Sequence, residues 1–374
     1  LPPEIAHSVA LKSLNIIHRL NLVPFLFPFN GTPSTFSYKN LIFKNRLGIA
    51  AGLDKNGDHI DSLGSLGFGF IEVGTVTPLP QEGNPKPRIF RFPFEKALIN
   101  RLGFNNKGLD CMVRNLRSRK FSGIVGVNIG SNKNSEGQKR IDDYVECIEK
   151  ISPYADYITI NISSPNTPNL RALHAKENLI PLFSAIKLAT ENVNFHKPVF
   201  IKISPDEAEE TILDIIQAIK DYAFDGVIAS NTTIDRTELN HISGHNIDGG
   251  LSGRPLFNKS TDLLKKIHQH DQDLVKINNA CKDESISFNK SLNESFEYVN
   301  QNKSSLHLIG LVSDGGIHSH QNHLYKLCEL ANKKQVKNVY IHIFTDGRDC
   351  NPRSAKKFIQ QLEKNLNGAK IATI

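Results

Sequence analysis

The stretch Tyr157–Arg171, YITINISSPNTPNLR, decides how this chain is read. Tyr157 to Ile162 has the β-branched alternation of a strand. It runs without a break into Ser-Ser-Pro-Asn-Thr-Pro, a polar loop pinned by Pro165 and Pro168. In a parallel α/β protein, chemistry is placed at the C-terminal ends of strands. Asn161, Ser163, Ser164 and Asn166 bring amide and hydroxyl groups to that position, and none of them carries a charge.

The neighbouring sequence repeats the pattern. Short apolar runs at 47–51, 70–77, 124–129, 157–162, 199–203 and 226–230 read as strands. Helical periodicity fills the intervals at 60–66, 109–116, 142–151, 179–193, 208–222 and 261–267. Successive strand-helix units of this length predict a (β/α)8 barrel of the TIM type that has reached its sixth unit. A doubly wound sheet is the alternative, and the lack of GxGxxG after any strand counts against it.

Each of the six strand ends carries polar groups. AAGLDKNG (50–57) supplies Ala51, Gly52 and the cation Lys55, and the next ends supply Thr75, Asn128, Asn161 to Asn166, Lys202 and Ser230 to Thr233. Taken singly, these residues have ordinary readings: a strand-end Lys is solvated, and an Asn before Pro or Gly is turn chemistry. Gathered at one barrel mouth, they would form a pocket with two ammonium groups, several amides and hydroxyls, and little negative charge. Such a pocket suits a flat, anionic, amide-bearing ligand.

Composition narrows the class of partner. The chain has 374 residues, 39% hydrophobic and 22% charged, which is the balance of a globular protein large enough for one α/β domain and a second unit. The net charge is +7, yet no Lys/Arg tract is interleaved with aromatics, so nucleic acid is not an expected partner. Five scattered Cys fit no metal spacing; no metal is expected, and the thiols read as reduced. Near the N-terminus, Val9, Leu11, Leu14, Ile17 and Leu20 recur at helical spacing and LVPFLFPF follows at 22–29. This segment is either a helix capping the barrel or a membrane-surface contact. The chain begins at Leu1 rather than Met, so further sequence upstream is expected.

Residues 1 to about 267 resemble class 2, quinone-dependent dihydroorotate dehydrogenase. The resemblance rests on AAGLDKNG (50–57), EVGTVTPLPQEGNPKPRIFR (72–91), NRLGFNN (100–106), NISSPNTPNLR (161–171), SNTT (230–233) and GGLSGRPL (249–256). It implies an FMN enzyme of pyrimidine biosynthesis that oxidises dihydroorotate to orotate and passes the electrons to a quinone. By the resemblance, Ser164 is the catalytic base, and Lys55, Asn100, Arg101, Leu102, Gly103, Phe104, Asn161, Asn166, Asn231 and Thr232 line the substrate site. Ala51, Gly52, Lys55, Thr75, Asn128, Asn161, Lys202, Ser230 and Gly253 match flavin contacts. Residues 1–40, with a helix pair from Pro3 to Phe27, match the extension that meets the membrane and admits quinone. A peripheral location on the cytoplasmic side of the inner membrane follows, and 41–267 would be the FMN-binding barrel.

The pattern breaks after the sixth helix. The last two βα units, whose turns bind the FMN phosphate in this family, have no recognisable counterpart. Residues 271–374 instead resemble part of cofactor-independent phosphoglycerate mutase, through DLVKINNA (273–280), LHLIGLVSDGGIHSHQNHLY (306–325), VYIHIFTDGRD (339–349) and KIATI (370–374). His318, Arg348 and Asp349 match phosphoglycerate-binding positions there. The metal and nucleophile residues of that family fall in parts absent from this sequence, so mutase turnover is not expected. The alternative to a dehydrogenase is an inactive hybrid or a phosphoglycerate-binding fragment. A joined reading frame or a gene-fusion remnant is the simplest account of the join. The imported strands are candidates for the vacant seventh and eighth barrel places, with Gly315 and Gly316 near the phosphate end.

Overall fold

A computed structural model describes residues 1–28, 34–167, 170–239, 246–315, 319–347, 350–351 and 353–374, with side chains for all of these except 269–276 and 279. The chain divides into two compact units, 1–264 and 265–374.

The first unit is built on a curled parallel sheet of six strands. They are β3 (Gly48–Ile49), β4 (Phe70–Val76), β7 (Ile124–Ile129), β8 (Tyr157–Asn161), β9 (Val199–Ile203) and β10 (Gly226–Ala229), in the spatial order β10-β9-β8-β7-β4-β3. Helices α3 (Ile60–Gly64), α4 (Leu109–Ser118), α5 (Gly137–Ile151), α6 (Lys176–Asn192) and α7 (Glu209–Asp221) return the chain between strands. This is the succession the sequence predicts, with ends shifted by a few residues. Strands covered on both faces are largely apolar, and polar residues on them must find partners inside. Accordingly every residue of β7 and β8 is buried, whereas β10, the last strand of the sheet, is half-buried along its length.

Two antiparallel additions escape the sequence reading. The hairpin β1 (Phe36–Tyr38) and β2 (Leu41–Phe43) precedes the barrel strands. Phe36 stacks on Phe43 at 4.6 Å, and Phe43, Phe70, Tyr157 and Phe200 follow edge to face, closing the N-terminal ends of the strands. The second addition, β5 (Ile89–Phe92), β6 (Ala97–Asn100) and β11 (Gly250–Gly253), is a three-stranded sheet over the C-terminal ends. The motif NRLGFNN therefore starts on a strand, at Asn100. Helices α1 (Pro3–Arg19) and α2 (Val23–Leu26) form the N-terminal pair.

Helix α8 runs from Arg254 to Lys282 without interruption. The sequence suggests two separate helices at 261–267 and 274–281. After Pro255 no Gly or Pro punctuates the segment, so no backbone breaker divides the two stretches.

The second unit holds a separate three-stranded parallel sheet, β12 (Leu306–Val312), β13 (Val339–Thr345) and β14 (Lys370–Thr373). With α9 (Lys290–Gln301), α10 (Gln321–Lys333) and α11 (Ala355–Glu363) it encloses Phe296, Cys328, Leu330, Ile341, Phe358 and Leu362. Its strands pair with one another. They form a sheet of their own, in the order β12-β13-β14.

Candidate active site

The loop after β3 is held by its own backbone. Gly52 N–H donates to the Gly74 carbonyl at 2.8 Å, and Gly74 N–H donates to the Asp54 carbonyl at 3.0 Å. The Asp54 carboxylate accepts the N–H groups of Asp58 and His59 at 2.9 and 2.8 Å. Burial raises the Asp54 pKa, and those two N–H groups oppose the rise. Gly52 sits at φ +108°, a conformation that favours glycine, and a Cβ there would meet nothing within 4 Å, so its backbone stands open to the cavity. The loop directs Lys55 inward, where its Nζ donates to Asn105 Oδ1 at 2.6 Å. Burial, reinforced by the charge of Arg88 and opposed by that of Glu4, brings the ammonium down to about 7.

A cavity of about 380 Å³ lies over the C-terminal ends of the strands, within the range of small-molecule sites. Its walls include Ala51, Gly52, Lys55, Thr75, Asn100, Leu102, Gly103, Phe104, Asn161, Ser164, Asn166, Lys202, Ser230, Asn231 and Thr232. Three of the residues expected there are not in the wall. Arg101 turns away, donating twice to the Pro87 carbonyl and covering the Phe90 ring. Asn128 lies fully buried one layer below, and it reaches the wall through Thr75, whose hydroxyl donates to its Oδ1 at 2.6 Å. Gly253 pairs with Ala97, and a Cβ there would stand 2.2 Å from the Lys96 carbonyl oxygen, so packing alone requires glycine. Its neighbour Ser252 lines the cavity instead.

Ser164 is 5% exposed, and its Oγ accepts the Asn166 N–H at 3.3 Å. Asn166 Nδ2 donates to Asn100 Oδ1 at 3.2 Å, which ties the Ser164 loop to the end of β6. Asn231 Nδ2 donates to Ser163 Oγ at 3.0 Å and to Asn161 Oδ1 at 3.3 Å, and its Oδ1 accepts the Thr232 N–H at 2.8 Å. One guanidinium holds three of these loops. Arg171 donates to the Ser163 carbonyl, to the Thr232 carbonyl and to the Asp206 carboxylate, at 3.2, 3.2 and 3.0 Å. Burial alone would raise Asp206, but Lys259, the Thr233 hydroxyl and the Ile234 N–H bring it below the ordinary carboxylate range.

Sequence reasoning did not single out Asn105, Arg171, Glu72 or the apolar wall of Ile89, Leu98 and Leu256. Arg171 and Glu72 lie inside the motifs quoted above, but their roles require partners far along the chain.

A second cavity, of about 390 Å³, lies against α1. Glu4, His7, Ser8 and Leu11 form one side, Arg88 and Asn105 the other, and Gly52, Lys55, Ile89 and Leu102 are shared with the first cavity. Glu4 receives Arg88 Nε at 2.6 Å and Nη2 at 3.2 Å, and His7 Nε2 lies 2.7 Å from the Leu53 carbonyl.

The donor set suits the ring system of a flavin: two lysines, uncharged amides and hydroxyls, and an open glycine backbone. The other end of FMN fits less well. Barrels of this type grip phosphate with the turns after strands seven and eight. Among the described residues no such strand follows β10 in its sheet. His318, Arg348, Asp349 and Gly316 lie outside the described residues. No described group of three or more His, Cys, Asp or Glu could hold a metal ion.

Comparison with known proteins agrees with this architecture. The family profile described as dihydroorotate dehydrogenase matches residues 35–281, and that of the BPG-independent PGAM N-terminus matches 277–374. The two matches meet inside α8, later than the expected 267–271. The dihydroorotate dehydrogenase (quinone) of Saccharophagus degradans is 45% identical over 284 residues, covering 74% of this chain and 83% of the relative. That of Pectobacterium atrosepticum is 48% identical over 275 residues, covering 72% and 81%. A ligand-free crystal structure of the Eimeria tenella dihydroorotate dehydrogenase superposes with a TM-score of 0.64 at 35% identity, covering 70% of this chain and 79% of that one. The same enzyme in complex with ferulenol gives 0.65 at 27% identity, covering 98% and 89%. With the family profile covering 35–281 and relatives 45–48% identical over more than two thirds of the chain, the chain belongs to the dihydroorotate dehydrogenase family.

Proposed function

We propose that this chain oxidises dihydroorotate to orotate in pyrimidine biosynthesis, with FMN as the immediate acceptor and a quinone as the final one. The observation that carries the reading is the meeting of Ser164, Lys55, Asn100, Asn166, Asn231 and Thr232 around one cavity. Asn100, Asn166, Asn231 and Thr232 suit the amide edges and carboxylate of a pyrimidine acid, and Lys55 supplies the balancing charge.

Ser164 is the base for the ring proton. A hydroxyl is a weak base by its own pKa, so as it takes the ring proton it must pass its own hydrogen on to a relaying acceptor, and the burial of Ser164 keeps that transfer out of bulk water. The Asn166 N–H already donates to Ser164 Oγ and so directs one of its lone pairs. Arg171 fixes the peptide joining Ser163 to Ser164 and thus the height of the hydroxyl above the cavity floor. When bound, FMN supplies the hydride acceptor that no side chain offers. Lys55 and Lys202 would hold its ring, with Thr75 and Ser230 beside them. Without a phosphate grip from the last two barrel turns, FMN affinity falls in the micromolar range or weaker. Each charge-assisted bond to a phosphate is worth about 1.5–3 kcal/mol.

The cavity against α1 is the place for quinone, since it shares Lys55 and Leu102 with the substrate cavity. Ile5, Val9 and Ile16 on α1 and Leu20 at its C-cap are all exposed, and at helical spacing they fall within about 60° of one another. Phe25, Leu26 and Phe27 continue the exposed apolar surface. No described helix is long and apolar enough to cross a membrane. Such a stripe suits a peripheral contact with a lipid surface, on the cytoplasmic side of the inner membrane.

The test is reconstitution with FMN followed by anaerobic addition of dihydroorotate. Loss of the visible flavin absorbance, and its return on adding a quinone, is the expected result. Flavin that binds and stays oxidised in the presence of dihydroorotate would overturn the reading. Titration with FMN checks the affinity, and nanomolar binding would contradict it.

A further inference from the structure

Glu72 stands in the middle of β4, 5% exposed, and takes no part in the chemistry above. Three donors converge on it. Asn128 Nδ2 reaches Oε1 at 2.9 Å, and Oε2 receives the hydroxyls of Thr159 at 2.9 Å and Tyr157 at 3.2 Å.

Above it runs a chain of side chains whose hydrogen bonds have a direction. An asparagine amide presents oxygen on one side and NH2 on the other, so a row of linked amides has two opposite senses. Reversal exchanges donor for acceptor at every ligand-facing position. A carboxylate at one end removes the choice. Because Glu72 accepts, Asn128 must turn Nδ2 toward it and Oδ1 away. That Oδ1 accepts the Thr75 hydroxyl at 2.6 Å and Asn161 Nδ2 at 3.3 Å. With its proton committed, Thr75 Oγ1 accepts Asn161 Nδ2 at 3.0 Å. Asn161 is thereby left with Oδ1 facing Asn231, and it accepts Asn231 Nδ2 at 3.3 Å and the Ser163 hydroxyl at 3.2 Å. The series crosses from β4 to β7, back to β4, on to β8 and then to the loop after β10. Each bond has the same sense.

We propose that Glu72 is a positioning residue. Acting through Asn128, it fixes the donor-acceptor sense of the amide relay Asn128–Thr75–Asn161–Asn231 and so decides which ligand atoms the cavity floor accepts. The inference rests on the orotate reading for its functional consequence and on the relay alone for its structural one, and the two are tested separately.

The functional arm measures orotate affinity by calorimetry in the whole chain. Glu72→Gln keeps an acceptor oxygen for Asn128 and turns its amide toward the Thr159 and Tyr157 hydroxyls, so affinity stays within roughly twofold. Glu72→Leu leaves Asn128 Nδ2 without an acceptor and loses roughly tenfold or more. Asn128→Asp sets two carboxylates together and weakens binding. The double variant Glu72→Gln with Asn128→Asp again pairs one donor with one acceptor: the introduced glutamine donates through Nε2 to the introduced aspartate, whose other oxygen still accepts the Thr75 hydroxyl, so the relay above keeps its sense and the affinity recovers. A packing role predicts additive losses instead, and additivity would overturn the proposal. The structural arm needs no ligand and no Leu variant. In protein labelled with 15N-asparagine, the Asn128 side-chain NH2 is protected from hydrogen exchange in the wild type and in Glu72→Gln. It loses protection in Asn128-facing variants that remove the acceptor, such as Glu72→Ala. Equal protection with and without the acceptor sinks the relay. Wild-type protein that binds no orotate sinks the functional reading and leaves the exchange result to judge the relay.

Discussion

Lys55 gives the most quantitative test of the site. Burial and the nearby Arg88 charge hold its ammonium near 7, well under the 10.5 of a free lysine. At pH 8 the ligand-free protein therefore carries the proton in only about one molecule in eleven. Orotate brings an anion into the same cavity. If that anion lifts Lys55 to about 9 or above, some nine-tenths of the bound molecules are protonated, and binding takes up about 0.8 proton. At pH 6 most of the free protein is already protonated, and the uptake falls to about 0.1 or less. Calorimetric titration of orotate in two buffers of different ionisation enthalpy reads the proton count directly at each pH. Lys55→Met abolishes the uptake along with much of the affinity. Uptake under about 0.2 proton at pH 8, with binding otherwise intact, refutes the argument. The same shift governs stability. The folded pKa lies below the unfolded one, so the unfolded chain holds the extra proton between about 7 and 10.5, and stability rises with pH across that window. The full cost, at most about 5 kcal/mol, is present below pH 7. Lys55→Met removes it, so denaturant unfolding of the variant lacks the upward slope.

Other substitutions separate the parts of the site. Ser164→Ala lowers the rate of flavin reduction by roughly 10²–10⁴ while leaving orotate affinity nearly unchanged, as read by stopped-flow and calorimetry. Glu4→Ala leaves the buried Arg88 guanidinium short of its carboxylate, loosens α1 by roughly 1–3 kcal/mol, and speeds proteolytic release of the N-terminal segment. The Arg88 hydrogen bond holds Glu4 below the usual glutamate pKa, so this contribution is present above about pH 4.5 and is lost as pH falls through the folded value. Proteolysis that does not speed up as the pH is taken from about 7 to well below 4.5 would contradict it. Ile16→Glu with Phe25→Glu places charges on the exposed stripe, and co-sedimentation with anionic lipid vesicles drops several-fold while orotate binding does not change.

What the sequence makes legible is what has a short period. Parallel strands covered on both faces are continuous apolar runs, and the helices between them repeat at helical spacing, so six units can be counted without coordinates. The polar residue at each strand end comes with that count, because the barrel topology alone brings strand ends together. The sheet β5-β6-β11 is harder to read: its strands have four residues each, and Gly250 pairs with Asn100 across 150 positions. No local pattern encodes that register. It decides the geometry of Asn100, and it is also why Arg101 leaves the cavity, since successive residues at a strand end face opposite ways. Pairs such as Lys55–Asn105 and Glu4–Arg88 are equally non-local.

Glu72 is a different case, because its signal is local. FIEVGTV places a carboxylate inside a strand whose other residues demand burial. A buried carboxylate costs several kcal/mol unless donors surround it, so its presence predicts a set of donors before any are seen. Asn128 on the adjacent strand and Tyr157 and Thr159 on the strand beyond it sit at comparable depth in the parallel sheet, and these are its partners. A carboxylate with no part in the chemistry, retained at such a cost beneath a ligand cavity, is better explained by the direction it imposes on the amides above it than by stability. A leucine would spare the cost of a buried carboxylate but leave the Asn128, Thr159 and Tyr157 donors without an acceptor, whereas a glutamine keeps one, which is why the comparison of leucine, alanine and glutamine at position 72 bears on the site and not only on the fold.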